Sequence, residues 1–409
     1  MLQSTTISGL GVDTRRRMSI GFLNWAHALD HYVMLIFPTV VVALALVEGR
    51  SYADLIALGT GSFVAFGVFS LPAGWLADRW SRRNMMVLFH VGCGLSLVAA
   101  GLAPNLTVLA VALTGLGVFA AIYHPVGMPM LVAAATSRGR TLAFNGVCGN
   151  LGAALAAGIT AALIAVVGWR GAFLVPAVLL LATGAIYPYL VPDDRSRAAG
   201  RSASPDVPLT ASRAAVLFSL FVIVALTAGL VLQTVSVALP KIVDERLGIE
   251  VPLFVVGGLA TVVFMCGALA QLVVGRLVER FPMHLLFAAV ALLQFGGLVW
   301  AASARGAMLL AALALTMGAS YAQVTVNDLV IARYTADAWR GRVYAVRYFL
   351  TFAVSGVAVW AIGFLYGHGG FDLVLWSTVC VALGLVGACL VIAFLANDVE
   401  RSRVAVPAE

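Results

Sequence analysis

Residues 74–83 read GWLADRWSRR and residues 275–284 read GRLVERFPMH. Both are short polar interruptions in apolar sequence, and both follow G-x-L-x-[D/E]-R. They lie 201 residues apart, from 74 to 275. A second pair, SRGRTL at 137–142 and WRGRVY at 339–344, lies 202 apart. Thr114 and Thr316 share that offset, as do Pro38 and Pro240. One such match is weak, but several at nearly one offset mark an internal duplication.

What is duplicated follows from composition. Of 409 residues, 62% are apolar and only 11% are charged. A soluble chain carries about 25% charged residues, so these charges cannot cover a soluble surface. Apolar runs near membrane length recur throughout, each able to span a hydrocarbon core of roughly 30 Å. The runs are continuous, whereas barrel strands alternate. The fold class is therefore an all-α polytopic membrane protein. Twelve spans are expected, near 18–47, 55–77, 84–102, 106–135, 141–167, 171–190, 214–240, 252–278, 283–302, 306–335, 341–366 and 372–396. They form a six-helix half at 1–190, a cytoplasmic linker at 191–213, a second half at 214–396 and a tail at 397–409. No cleavable signal is expected, because the run after Arg15-Arg16-Arg17 is too long for one.

The charges orient the spans. With a cytoplasmic N-terminus, the outside keeps only Arg50, Arg170, Lys241, Arg246 and Arg305 of the 25 Lys and Arg residues. That is a strong positive-inside bias. The net charge of +7 is then an orientation signal, and no nucleic-acid partner is expected. A multi-pass protein of a bacterial inner membrane, with both termini cytoplasmic, is the reading. The five cysteines all fall in apolar spans, where they read as small buried hydrophobes.

The loop after span 2, with its weaker copy after span 8, resembles the signature loop of the major facilitator superfamily. The resemblance covers essentially the whole chain, including the GWRGAF turn at 168–173. It implies two six-helix repeats, a cavity lined by spans 1, 4, 7 and 10, and alternating access. More narrowly, YHPVG (123–127) followed by NGVCGNLGAAL (145–155) is similar to fosmidomycin-resistance-type efflux carriers. There an acidic residue often follows the His-Pro, where this chain has Val126.

The loop suggests a latch. Asp78 ends span 2, and a carboxylate there can cap a helix N-terminus. Repeat symmetry pairs Asp78 with Arg340 or Arg342 at the start of span 11, and Glu279 with Arg140 at the start of span 5. Arg79, Arg82, Arg83 and Arg280 complete the two loops. Gly74 and Gly275 would allow close helix approach.

The polar residues inside spans carry the chemistry. Of 18 acidic residues, only Asp30 and Asp328 lie well inside a span. An acid there costs roughly 2.5–3.5 kcal/mol on insertion scales, so it needs a partner or a cavity. Asp30 lies about 12 residues into span 1, roughly 18 Å along it. Asn24, His27 and His31 share a helix face, and Asp30 flanks it. A carboxylate beside imidazoles can exchange a proton, so Asp30, His27 and His31 are the expected proton-coupling residues. Pro125 and Pro129 break the backbone bonding of span 4 beside Tyr123 and His124. With Asn24, Gln233, Gln323 and Asn327, these are the expected substrate-cavity residues. Asp328 should pair with Arg347 or Arg333 as a gate. One helix supplies His27, Asp30 and His31, so no metal is expected.

No P-loop is present, so ATP is not the energy source, and neither enzyme activity nor a cofactor is expected. The first functional expectation is a monomeric, lipid-embedded carrier exporting small drug-like molecules in exchange for protons. The alternative is proton-coupled import of a small organic anion, motivated by Arg333, Arg347 and the histidines. A non-transporting scaffold or sensor is the third reading.

Overall fold

A computed structural model describes residues 11–193, 211–335 and 337–404. These are helical throughout, with no strand among them. The first half begins with α1 (Val12–Met34), α2 (Ile36–Glu48), α3 (Tyr52–Ala57), α4 (Thr60–Arg79) and α5 (Arg82–Gly101). Then come α6 (Leu106–Ala120), a π-helical turn (Tyr123–Gly127), α7 (Met128–Ala134) and α8 (Arg138–Leu190). The second half holds α9 (Ala211–Arg246), α10 (Leu253–Leu277), α11 (Met283–Ser303), α12 (Gly306–Tyr334) and α13 (Asp337–Val404). Most of the sequence linker, 194–210, lies outside the described residues.

Helix starts are set by polar caps. Ser51 accepts a hydrogen bond from the Asp54 N–H at 3.2 Å, Ser81 from Asn84 at 3.2 Å, and Asn105 from Val108 at 2.9 Å. Each satisfies an N–H that the helix itself leaves unpaired.

Among the described residues, ten helical stretches are long and apolar enough to cross a membrane. Two are too long for a single crossing. The α8 stretch has 53 residues and α13 has 68, roughly 80 and 100 Å of helix against a core of about 30 Å. Each is interrupted by glycine. Gly168 has φ 74°, and Gly370 has φ 59°. Only glycine enters that region without a steric penalty. The two lie 202 apart, on the repeat offset. Each turn falls between two of the expected spans, Gly168 between 141–167 and 171–190, and Gly370 between 341–366 and 372–396.

The duplication extends to single hydrogen bonds. Thr114 donates its hydroxyl to the Ala110 carbonyl at 2.8 Å, and its repeat mate Thr316 donates to Ala312 at 2.8 Å. This back-bonding satisfies a hydroxyl packed against a glycine of the neighbouring helix, Gly61 for Thr114 and Gly297 for Thr316.

By internal packing the chain divides into two units: Met1–Arg201 with Val251–Thr261, and Ser202–Glu250 with Val262–Glu409. In the first, α8 packs against α5, α1 and α2, α6 packs on α4 and α5, and the π-helical turn meets α1, α4 and α5. In the second, α9 lies against α13 and α12, and α11 against α12 and α13. Val224, Phe287, Val326, Leu385 and Ile392 are buried in its core. Outward-facing side chains such as Val166, Val178 and Phe394 are large, apolar and exposed. A water-facing surface would not favour them; a lipid-facing one does.

Candidate functional site

The deepest polar cluster of the first unit is built by three elements. The α1 helix supplies Asn24, His27, Asp30 and His31. The π-helical turn supplies Tyr123 and His124. The α8 helix supplies Asn145, whose side chain is fully buried. Span 4 brings its two residues here because Pro125 has no N–H to continue the ladder. The helix widens into a π turn at that point, a common device at functional sites.

Asn145 is the hub. Its Nδ2 donates to Asn24 Oδ1 at 2.9 Å and approaches Tyr123 Oη at 3.0 Å. The Tyr123 hydroxyl reaches the Leu23 carbonyl at 3.1 Å. His27 Nδ1 lies 2.8 Å from the Asn145 carbonyl oxygen. A carbonyl only accepts, so His27 carries its proton on Nδ1 and leaves a lone pair on Nε2. His31 Nε2 lies 3.1 Å from that nitrogen. The His27 ring stacks on Tyr123, with centroids 4.8 Å apart and planes inclined by 17°. The close approach of α8 requires Gly149, where a Cβ would lie 2.6 Å from the His27 ring.

Asp30 is 0% exposed. Neither carboxyl oxygen has a hydrogen-bond partner among the described residues. Its nearest charged-group contact is His124 Nε2, 3.4 Å from Oδ2. The three imidazoles converge, with all their contributing nitrogens within 4.8 Å of one another. A buried carboxyl beside three imidazoles can hold or pass a proton; an apolar bundle has no packing need for it.

The second unit is wired differently at the equivalent places. The Asp328 and Arg347 side chains form an ion pair linking α12 to α13. At the repeat offset of 202, Asp328 corresponds to Val126 and Arg347 to Asn145. The amide hub of one half is thus an ion pair in the other. Gln233 donates to Ser355 at 3.0 Å, and Gln323 donates to the Cys389 sulfur at 3.2 Å. The carbonyl oxygens of Gln323 and Asn327, one turn apart on α12, are buried without a hydrogen-bond partner among the described residues.

At the signature loop, Asp78 pairs with Arg82 at 2.8 Å, one turn along. Arg79 lies over the Trp75 ring at 4.1 Å. Ser81 donates to Asp193 at 2.6 Å, and Arg83 lies 4.0 Å from the same carboxylate. The loop therefore ties to the end of α8. The expected latch partners Arg340 and Arg342 have side chains outside the described residues; Arg140, Glu279 and Arg280 are exposed. Gly74 does face a neighbour, since a Cβ there would lie 3.2 Å from Pro125 Cβ. At Gly275 a Cβ would meet nothing within 4 Å among the described residues.

Asn145 was not among the residues expected at the site. Its signal was present: an amide in mid-span, repeat mate of an arginine, inside a glycine-rich motif.

An internally duplicated bundle, all-helical among the described residues and carrying ionisable groups deep in its spans, has the architecture of a membrane transporter. The family model of the Major Facilitator Superfamily matches residues 20–355, and the chain belongs to that family. Among curated relatives, the probable L-galactonate transporter of Escherichia coli (strain K12) is 31% identical over 32% of this chain and 29% of its own length. The probable 4-methylmuconolactone transporter of Cupriavidus pinatubonensis (strain JMP 134 / LMG 1197) is 32% identical over 38% of each. The chain thus spans less than two fifths of the length of these relatives. Among solved structures, a bacterial homolog to the human lysosomal transporter Spinster, inward-facing and occupied, aligns with a TM-score of 0.75. It is 15% identical over 97% of this chain and all of that one. A D-xylose-proton symporter aligns with a TM-score of 0.69 at 16% identity, over 91% and 96% of the two chains. At that identity the likeness shows the fold.

Proposed function

We propose that this transporter moves a small organic acid together with protons, and that Asp30 with His27, His31 and His124 carries the coupling. The observation that carries the reading is the convergence of one fully buried carboxyl and three imidazoles on a single point of span 1. Protonation makes such a cluster more positive. A bound anion then favours the proton, and by reciprocity the proton favours the anion. Ligands that promote each other's binding travel together, which is symport. The relatives' printed solutes, L-galactonate and 4-methylmuconolactone, support an organic acid. The buried acceptors of Gln323 and Asn327 offer places for a solute's hydroxyl groups.

The second reading keeps the efflux expectation. A cationic drug-like molecule would compete with the proton for Asp30, and competition gives antiport. The YHPVG and NGVCGN segments favour it. Right-side-out and inverted membrane vesicles separate the two. Accumulation of L-galactonate or a related sugar acid in right-side-out vesicles, driven by an inward proton gradient, supports symport. Proton-driven accumulation of a cationic drug only in inverted vesicles would replace it with efflux.

A further inference from the structure

We propose that His27, His31 and His124 form a binding site for one divalent transition ion of the zinc class, bridging α1 and the π-helical turn. The sequence argued against a metal because a single helix supplied every ligand. The structure removes that objection by bringing in His124 from a second element.

The geometry has the marks of such a site. His27 and His31 stand at i and i+4 on one helical face, a spacing that lets two imidazoles share a zinc ion. Their Nε2 atoms are 3.1 Å apart. Two nitrogens on a tetrahedral zinc, each about 2.0–2.1 Å from the metal, lie roughly 3.3–3.4 Å apart. All three imidazoles have ligand nitrogens within 4.8 Å of one another, so the third closes on the ion by a side-chain rotation. His27 is already oriented: its Nδ1–H points at the Asn145 carbonyl at 2.8 Å. Metal-bound histidines are usually held in this way, with the remaining N–H on a carbonyl. Asp30 Oδ2, 3.4 Å from His124 Nε2, puts a carboxylate beside the third ligand. Three imidazoles with a neighbouring carboxylate suit zinc, and the same donors accept cobalt. Among the described histidines, His90 is directed elsewhere, to the Met86 carbonyl at 2.7 Å. His368 is directed to the Phe364 carbonyl at 2.7 Å.

An ion held there clamps span 1 to the break in span 4. The ion and the coupling protons compete for the same imidazole lone pairs, but the binding test needs neither solute nor gradient, so its failure is read separately from that of the proposed symport. The test uses the full chain, purified in detergent without a polyhistidine tag, and titrated with Co²⁺ alone. The expected result is one Co²⁺ per chain, with a visible ligand-field band that Zn²⁺ abolishes on displacing it. His31→Ala and His124→Asn should each weaken binding by more than about tenfold, while His368→Ala should leave it unchanged. Absence of a saturable Co²⁺ signal in the unaltered protein would overturn the proposal without any variant. So would tight binding that survives both cluster substitutions in protein of unchanged elution volume.

Discussion

Asn145 holds together groups from three elements, and no single contact replaces it. Removing its amide leaves Asn24 Oδ1 and the Tyr123 hydroxyl short of a partner inside the bundle. Stranding a buried polar group costs about 1–3 kcal/mol. Asn145→Ala should therefore lower the thermal unfolding temperature in detergent. In a double-mutant cycle, Asn24→Ala added to it should cost less than it does alone. Gly149→Ala should disturb the same place from the other side, because its Cβ would press on the His27 ring. The acid and histidines of span 1 were legible in the sequence, since ionisable groups in an apolar run are costly and must have a reason. The place of His124 beside Asp30 was not, because it depends on how the span 4 break packs on α1. The role of Asn145 was hidden for a related reason: an amide in mid-span shows its function only through its partners.

At the scale of elements, two features decide how helices end and join. Gly168 and Gly370 turn the chain where a Cβ would strain it. Gly168→Ala should destabilise the protein by about 1–3 kcal/mol, because its backbone (φ 74°, ψ 172°) lies in a region essentially reserved for glycine. A thermal shift assay would detect this, and Gly146→Ala, in open space within α8, serves as its control. The Asp328–Arg347 pair fixes α12 to α13. Arg347 is buried but Asp328 is 31% exposed, so breaking the pair should cost less than the roughly 3–5 kcal/mol of a fully buried one. Arg347→Met should therefore unfold more readily than the wild type, and Asp328→Asn added to it should restore part of the loss. Both glycine turns sit on the repeat offset, and the first of them, in GWRG, was read as a boundary from sequence. The π-helical turn was foreseen only as a break at two prolines. Proline shows where a hydrogen bond is lost, but the packing of neighbours decides how the freed carbonyls are satisfied.

The two halves share a helical architecture but differ in chemistry. The first concentrates its ionisable groups on span 1 and the span 4 break. The second keeps an ion pair and two buried amides at the related helices. The apolar spans and the duplication could be read from the chain because apolar length and a repeated offset are one-dimensional signals. Asp78 is paired within its own helix end, and Arg340 and Arg342 lie outside the described side chains. In the proposed mechanism Asp30 couples protons to solute. The most direct measurement of that coupling is solute accumulation in proteoliposomes under an imposed inward proton gradient, comparing the wild type with Asp30→Asn. The variant should lose gradient-driven accumulation of the organic acid while retaining exchange of internal for external solute. Undiminished accumulation in Asp30→Asn, collapsing only when the gradient is dissipated, would contradict it.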